Sequence, residues 1–188
     1  AAYEGGGVQN HGQASPTLKV CTFSANTASR GGGMCNSESS PSVINCLFIH
    51  NAASEGGAIC NSNSPATFVN CTATRNTATS YGGAMADYSA SSTVVNCILW
   101  NNSASYDGNE IFATPVSPAV TFSCIQGGFD GTDNIDKDPL FVDADNGDCS
   151  LKYCSPCIDA GTEEGAPEED IVDVHRPQGD GYDIGAYE

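Results

Sequence analysis

The feature that most constrains this chain is a repeat of about 25 residues that runs through its first two thirds. Glycine-led steps recur at spacings of 26, 25, 26 and 26 residues, at Gly5, Gly31, Gly56, Gly82 and Gly108. A second series with the same period is Cys21, Cys46, Cys71, Cys97 and Cys124, and a third is Asn26, Asn51, Asn76 and Asn102. Three independent markers that keep one period predict a solenoid, in which each repeat stacks on its neighbour.

Each repeat contains short β-prone segments, such as residues 42–49 and 93–100. β-branched and aromatic residues favour strands, whereas the Gly, Asn, Ser and Pro residues between them favour tight corners. Rungs of a parallel β-helix pair at a spacing of ~4.8 Å. We therefore predict an all-β, single-stranded parallel β-helix (solenoid) of about five rungs of 25–26 residues, over residues 1–129.

Alignment of the rungs predicts which side chains face the interior. The cysteine column points inward, and so do the residues two positions later, Phe23, Phe48, Ala73 and Leu99. The positions between them are expected to point outward: Thr22, Leu47, Thr72, Ile98, Ser24, Ile49, Thr74 and Trp100. The residues before three of the cysteines, Asn45, Asn70 and Asn96, are expected at left-handed corners, with amides that can hydrogen-bond along the stack.

Charge excludes several classes of partner. The chain has 23 acidic and 6 basic residues, and a formal charge of −17 argues against binding to nucleic acid or anionic membranes. No apolar run approaches the ~18–20 residues that a membrane span requires, so we expect no membrane insertion. Residues 130–188 carry 17 of the acids, and we predict that they form an irregular acidic cap packed on the helix.

The ten cysteines favour an exported protein, extracellular or at the cell surface. The chain shows no charged-then-apolar leader, so we expect that a signal peptide has been removed. Disulfides are the favoured state, with a stack of free interior thiols as the alternative. Cys35 and Cys60 are the most specific pair, since they hold matching positions after the glycine corner. Pairing within the cysteine column stays open, and Cys149, Cys154 and Cys157 are expected to tie the tail to itself or to Cys124.

One acidic cluster of the tail has the ligand type of a calcium site. Asp143, Asp145 and Asp148 alternate around a glycine turn, and carboxylate oxygens are the ligands that Ca²⁺ prefers. The other interpretation is an Asx-type turn between two strands. Structural calcium is the single cofactor that the sequence suggests.

Two sets of motifs resemble known families. Phe48-Ile49-His50-Asn51, followed by Gly56-Gly57-Ala58-Ile59, resembles the FxxN and GGA(I/L/V) signatures of the polymorphic outer-membrane protein repeat. That repeat belongs to the pectin-lyase-like superfamily, so the resemblance, over roughly residues 3–126, implies a right-handed parallel β-helix. The tail resembles the end piece of secreted microbial β-helix proteins, in Asp138-Pro139-Leu140-Phe141-Val142, residues 155–161 and Asp183-Ile184-Gly185-Ala186-Tyr187-Glu188.

The resemblance also raises the question of catalysis, because the superfamily includes polysaccharide lyases and glycosidases. Such enzymes place a base or Asp side chains on one outer strand face of neighbouring rungs. The outward columns here carry Thr, Ser, Ile, Leu and Trp, with almost no carboxylates. We therefore expect a protein that is not an enzyme.

The ends of the solenoid suggest self-association. The chain opens as Ala1-Ala2-Tyr3-Glu4-Gly5, almost inside the first glycine corner. A solenoid ends in open strand edges, so we expect a longer protein, a frayed first rung, or a second subunit on this edge. In the third case Tyr3 and Val8 lie in a subunit joint, and head-to-tail contacts build a filament.

The outward column that contains Ile49 and Trp100 is predicted to be a lateral interface or a sugar-stacking strip. Scattered surface residues, or residues covered by the tail, are the alternatives. The sequence thus favours a non-catalytic extracellular structural or adhesive β-helix, with filament assembly as its most specific form. A polysaccharide-binding adhesin is the nearest alternative, and a polysaccharide lyase or glycoside hydrolase is the second.

Overall fold

The computed structural model describes residues 2–188, and the strands up to Ile125 form a solenoid of five rungs with four strands each. The first rung contains β1 (Ala2–Glu4), β2 (Val8–His11), β3 (Thr17–Lys19) and β4 (Thr22–Ser24). The second contains β5 (Ala28–Arg30), β6 (Met34–Ser37), β7 (Ser42–Ile44) and β8 (Leu47–Ile49). The third contains β9 (Ala52–Glu55), β10 (Ile59–Ser62), β11 (Thr67–Val69) and β12 (Thr72–Thr74). The fourth contains β13 (Thr77–Tyr81), β14 (Met85–Tyr88), β15 (Thr93–Val95) and β16 (Ile98–Trp100). The fifth contains β17 (Ser103–Ala104), β18 (Ile111–Thr114), β19 (Ala119–Thr121) and β20 (Cys124–Ile125).

Equivalent strands of successive rungs pair in parallel and form four five-stranded sheets, which we number 1 to 4 in the order in which the first rung visits them. The register follows the sequence repeat: in sheet 4, Phe23 pairs with Phe48, Phe48 with Ala73, and Ala73 with Leu99. The predicted all-β parallel solenoid of about five rungs is confirmed.

The core fills the interior of the coil as the alternation of side chains predicts. Cys46, Cys71 and Cys97 lie in it with Phe48 and Leu99, all buried. The rings of Phe23 and Phe48 stack with their centroids 4.7 Å apart. Equivalent side chains of successive rungs therefore stack on each other and build the core.

The corners have the predicted backbone conformation. Asn45, Asn70 and Asn96 adopt φ angles of 49°, 48° and 52°, in the left-handed region. Their amides mainly hold the tail and not each other: Asn70 Nδ2 donates to the carbonyls of Asp183 and Gly185, each at 3.1 Å. A bond along the stack occurs from Asn96 Nδ2 to Asn70 Oδ1 at 3.3 Å.

Two other ladders of buried amides cross the interior. In the first, Asn51 Nδ2 donates to Asn76 at 2.9 Å and Asn76 Nδ2 to Asn102 at 2.8 Å. Glu110 ends this ladder, because its two carboxylate oxygens accept the backbone N–H and the side-chain amide of Asn102. An amide at the last position would leave its own N–H₂ without an acceptor, whereas a carboxylate needs none.

The second ladder has the same polarity. Asn10 donates to Asn36, Asn36 to Asn61, and Asn61 to Asp87, at 2.8, 2.7 and 2.7 Å. Asp87 is fully buried, and burial raises the pKa of its carboxyl. Both ladders therefore run toward the C-terminal rungs and end on an acid.

The tail has two parts. Residues 129–137 first cover the last rung: Ile135 forms a parallel bridge with Cys124, and Phe129 packs against the core. The chain then returns along the outer face of sheet 4, with an antiparallel pair, β21 (Phe141–Asp143) and β22 (Asp148–Leu151), and a 3₁₀ turn at Ala144–Asn146. In residues 2–188 no helix is both long and apolar enough to cross a lipid bilayer.

The tail changes the environment of the outward column. Leu47, Ile49 and Ile98 point outward from sheet 4, as the alternation predicts, yet they are at most 3% exposed. The tail covers them with apolar side chains that include Phe141, Tyr187 and Ile184. Ile49 is therefore not available for a lateral interface, and cover by the tail is the correct one of the open alternatives.

One cysteine lies outside the column to which its spacing assigned it. Cys124 pairs with Ile98, so it belongs to the outward column and not to the interior one. Ser123 takes the interior place, and its hydroxyl accepts the N–H of Cys97 at 3.0 Å. The step of 27 residues from Cys97 to Cys124 is the sequence signal of this shift.

Candidate functional site

A group of contacting aromatic side chains lies on the outer face of the solenoid, where sheet 1 meets sheet 2. The Tyr81 ring lies 4.5 Å from that of Phe112 and 5.9 Å from that of Tyr106, and Tyr88 lies 5.8 Å from Phe112, between ring centroids. Tyr106 is 76% exposed, and the other three are half-buried. We call these four residues the aromatic seam.

The repeat positions the seam residues. Tyr81 ends β13 and pairs with Glu55, which occupies the same place one rung earlier. Tyr88 and Phe112 point outward from sheet 2, since Met85 and Ile111 of the same strands face the core. Strand register thus brings side chains from two neighbouring sheets to one surface.

A charged group continues the seam toward the first rung. The Arg30 guanidinium lies 3.2 Å from Glu55 and 3.7 Å from Glu4, between atoms of opposite charge. Its Cζ also lies 5.4 Å from the centroid of the Tyr88 ring, within the range of a cation–π contact. Burial raises the pKa of Tyr88, whose hydroxyl oxygen is buried although its ring is partly exposed. The outer surface therefore joins aromatic rings to hydrogen-bonding and charged groups.

A pocket of about 390 Å³ adjoins the seam at the last rung. Tyr106 lies at its wall together with Glu110, Gln126 and Phe129. Burial raises the pKa of Glu110 to about 7, against the opposing effect of its hydrogen bonds to Asn102. This carboxyl belongs to the amide ladder, so its first role is structural.

A second groove, of about 240 Å³, lies between the solenoid and the tail. Trp100 lines it, half-buried, beside Arg75 and Lys152. Arg75 Nη1 lies 2.7 Å from Asp145 Oδ1, so its charge is already paired. Ile49 and Trp100 are the two residues predicted to form a lateral interface or a sugar-stacking strip. Of these two, Trp100 is partly exposed and Ile49 is buried.

The sequence family follows from a match to the first two thirds of the chain. The model of the family described as "Right handed beta helix region" matches residues 2–123, more than half of the chain. The chain belongs to the right-handed β-helix family. No curated protein and no solved structure matches it significantly. The finer resemblances to the pectin-lyase-like superfamily, to polymorphic outer-membrane protein repeats and to the end piece of secreted proteins stay predictions.

This right-handed β-helix does not gather the predicted calcium ligands. Asp145 pairs with Arg75, Asp143 accepts a hydrogen bond from Asn146, and Asp148 accepts two from Ser150. Among residues 2–188 no group of three His, Cys, Asp or Glu side chains is placed to hold a metal ion. The alternative interpretation as a turn fits, because the segment forms the 3₁₀ turn and the start of β22.

The cysteines of the β-helix are all thiols in the structure. Cys35 and Cys60 are direct partners in sheet 2, both fully buried, beside Arg30. The hydrogen bond from the Cys60 thiol lowers the pKa of Cys35. In the tail Cys149 is buried and Cys154 is exposed, and Cys157 lies against Cys124. The prediction that most of these cysteines are oxidised stays open.

The predicted joint residues lie at the first rung. Val8 packs against the core of the β-helix, whereas Tyr3 is 77% exposed.

The aromatic seam was not predicted from the sequence. Its signal is weak, because Tyr81, Tyr88 and Phe112 hold three different positions of the repeat and converge only through the packing of two sheets.

Proposed function

We propose that the chain is an exported, non-catalytic β-helix module that binds a linear polysaccharide along the aromatic seam and the charged group beside it. The observation that most directly supports this proposal is a row of contacting, partly exposed rings on one outer surface, those of Tyr81, Tyr88, Phe112 and Tyr106. The proposal keeps the adhesive role that the sequence favours, but moves the binding surface away from the column that the tail covers.

The chemistry of the seam suits a sugar polymer. Tyrosine presents an apolar ring and a polar hydroxyl, so it can stack on the apolar face of a sugar ring and also hydrogen-bond to its hydroxyls. The Glu4, Arg30 and Glu55 side chains are 22–33% exposed and offer further donors and acceptors.

The contacts of the carboxylates near the seam bear on the glycosidase alternative. That reaction uses two carboxyl groups that flank the scissile bond, one as an acid and one as a base or nucleophile. Glu4 and Glu55 contact the Arg30 guanidinium, and Glu110, in the pocket beside Tyr106, accepts two hydrogen bonds from Asn102. Asp107 lines the same pocket. These contacts support a binding role for the module, and assays for product release from pectate and alginate test the enzymatic alternative.

Binding experiments with surface variants test the proposal. Affinity electrophoresis in gels that contain pectate, alginate, xylan or cellulose derivatives would compare the wild type with Tyr106→Ala and Tyr81→Ala. We expect retardation by at least one polymer and a roughly two- to tenfold loss of affinity for each variant, since a stacking contact contributes on the order of 0.5–1.5 kcal/mol.

Tyr153→Ala is the matched control, because Tyr153 is 99% exposed and lies in the tail. It should bind as the wild type does. A protein that no polymer retards, or variants of Tyr81 and Tyr106 that bind with unchanged affinity, would reject the seam as the binding surface.

Self-association through the ends of the helix stays a separate prediction. Head-to-tail stacking needs two accessible strand edges. Residues 129–137 cover the last rung, where Ile135 and Asn134 form hydrogen bonds with β19, with β20 and with the residues between these strands. A filament would therefore require this segment to move. For this reason we base the proposed function on the seam.

A further inference from the structure

The contact between Cys124 and Cys157 joins the solenoid to its tail. Cys124 sits on the last strand of sheet 4 and points outward, and Cys157 comes from the tail segment that covers this face. Both are at most 1% exposed and lie in one apolar cluster with Ile98 and Ile184. The two side chains are therefore neighbours at the joint between the solenoid and the tail.

Backbone and side-chain bonds hold both cysteines in place. The Cys124 thiol also donates to the carbonyl of Lys137 at 3.1 Å. The N–H of Cys157 donates to Ser155 Oγ at 3.1 Å, and its carbonyl accepts the N–H of Ile184 at 2.9 Å. The fold therefore positions both cysteines at the same place on the outer face of sheet 4.

The pairing is also unambiguous, unlike that of the interior column. Cys46, Cys71 and Cys97 stack in sequence, so each central thiol has two neighbours of the same kind. Cys149, the other buried cysteine of the tail, packs in an apolar cluster with Leu47 and Ile49 that contains no second cysteine.

We propose that Cys124 and Cys157 form a disulfide that fastens the acidic tail to the last rung of the β-helix. The oxidant is a low-molecular-weight disulfide such as oxidised glutathione. One cysteine thiolate attacks it, which forms a mixed disulfide and releases one small thiol. The second cysteine then displaces the second small thiol, so two electrons and two protons pass to the reagent.

Burial determines when this reaction takes place. The hydrogen bond to Cys124 and burial raise the pKa of Cys157 in the docked state, so little thiolate forms there. The bond therefore forms during folding, before the tail is fully docked. Once formed, it keeps Leu47, Ile49 and Ile98 covered, since the tail segment that covers them cannot leave the solenoid.

Peptide mapping tests the proposal directly. Trypsin cleaves after five of the six basic residues, because Pro177 follows Arg176. Of the resulting peptides, residues 76–137 contain Cys97 and Cys124, and residues 153–188 contain Cys154 and Cys157. We expect the full chain, refolded with reduced and oxidised glutathione, to yield these two peptides as one cross-linked species. The link should persist in Cys97→Ser and Cys154→Ser and should be absent from Cys124→Ser and Cys157→Ser.

Thermal unfolding supplies a second readout. A bond across this loop should raise the melting temperature of the oxidised chain by about 10 °C over the reduced one. Cys149→Ser is the matched control for loss of a buried cysteine, and it should keep both the cross-link and the response to reduction. Free Cys124 and Cys157 in the refolded wild type, found by alkylation after unfolding, would overturn the proposal, and so would a link from either residue to another cysteine.

Discussion

Replacement of Glu110 by Gln should remove a large pH dependence from the stability of this β-helix. Glu110 is 5% exposed and ends the amide ladder, with Oε2 2.6 Å from Asn102 Nδ2 and Oε1 3.2 Å from the Asn102 backbone nitrogen. Burial raises the pKa of this carboxyl to about 7, from an ordinary value of 4.5. The carboxyl therefore binds its proton more tightly in the folded chain than in the unfolded chain.

The sign of the effect follows from this difference. The stability that protonation of Glu110 contributes is fully present below pH 4.5 and is lost as the pH rises through about 7. Each pKa unit corresponds to about 1.4 kcal/mol, so the total amounts to about 3 kcal/mol. Glutamine stays neutral throughout, so the variant lacks this pH dependence. At pH 4 we expect it to be less stable than the wild type by the cost of its unpaired N–H₂ group, on the order of 1–3 kcal/mol.

Urea unfolding of both proteins, followed by circular dichroism at pH 4 to 8, measures this effect. The free energy of unfolding of the variant should gain about 3 kcal/mol relative to the wild type between pH 4.5 and 7.5. Other buried acids, such as Asp87 and Asp183, titrate in both proteins, so the difference isolates Glu110. Glu163→Gln, at an exposed position, should show no such change. A difference that stays constant over this pH range would refute the reasoning.

Two further predictions concern the ladder and the tail. Asn76→Ala should lower the free energy of unfolding by about 3 kcal/mol, because it removes the acceptor of the buried backbone N–H and of one side-chain N–H of Asn51. Asn26→Ala, at the partly exposed start of the ladder, should lower it by about 1 kcal/mol. Equal losses in urea unfolding would contradict this gradient. Glu188→Gln should destabilise the tail by about 3 kcal/mol, since it leaves the fully buried Arg176 guanidinium without its partner at 2.6 Å. Faster proteolysis between residues 160 and 188 would report that loss, and an unchanged cleavage rate would contradict it.

The amide ladders link the repeat to the stability of the whole molecule. The period of 25–26 residues was readable from the Asn26, Asn51, Asn76 and Asn102 series, but the sequence did not show that these amides are buried and bonded to each other. Glu110 lies outside that series and reaches the ladder from a loop. No spacing rule predicts such a contact, because it depends on where the chain turns after the last complete rung.

The sequence by itself determined the solenoid and, except at Cys124 in the last rung, its register and its interior. Spacing decides these features, since a fixed period brings like residues into adjacent strands and alternation then separates inward from outward side chains. The tertiary structure alone decided which outward faces stay open. The tail lies across sheet 4 and buries Ile49, Cys124 turns toward Cys157, and Tyr81 and Phe112 meet from different sheets. These outcomes depend on contacts between segments far apart in the chain, which local patterns do not encode.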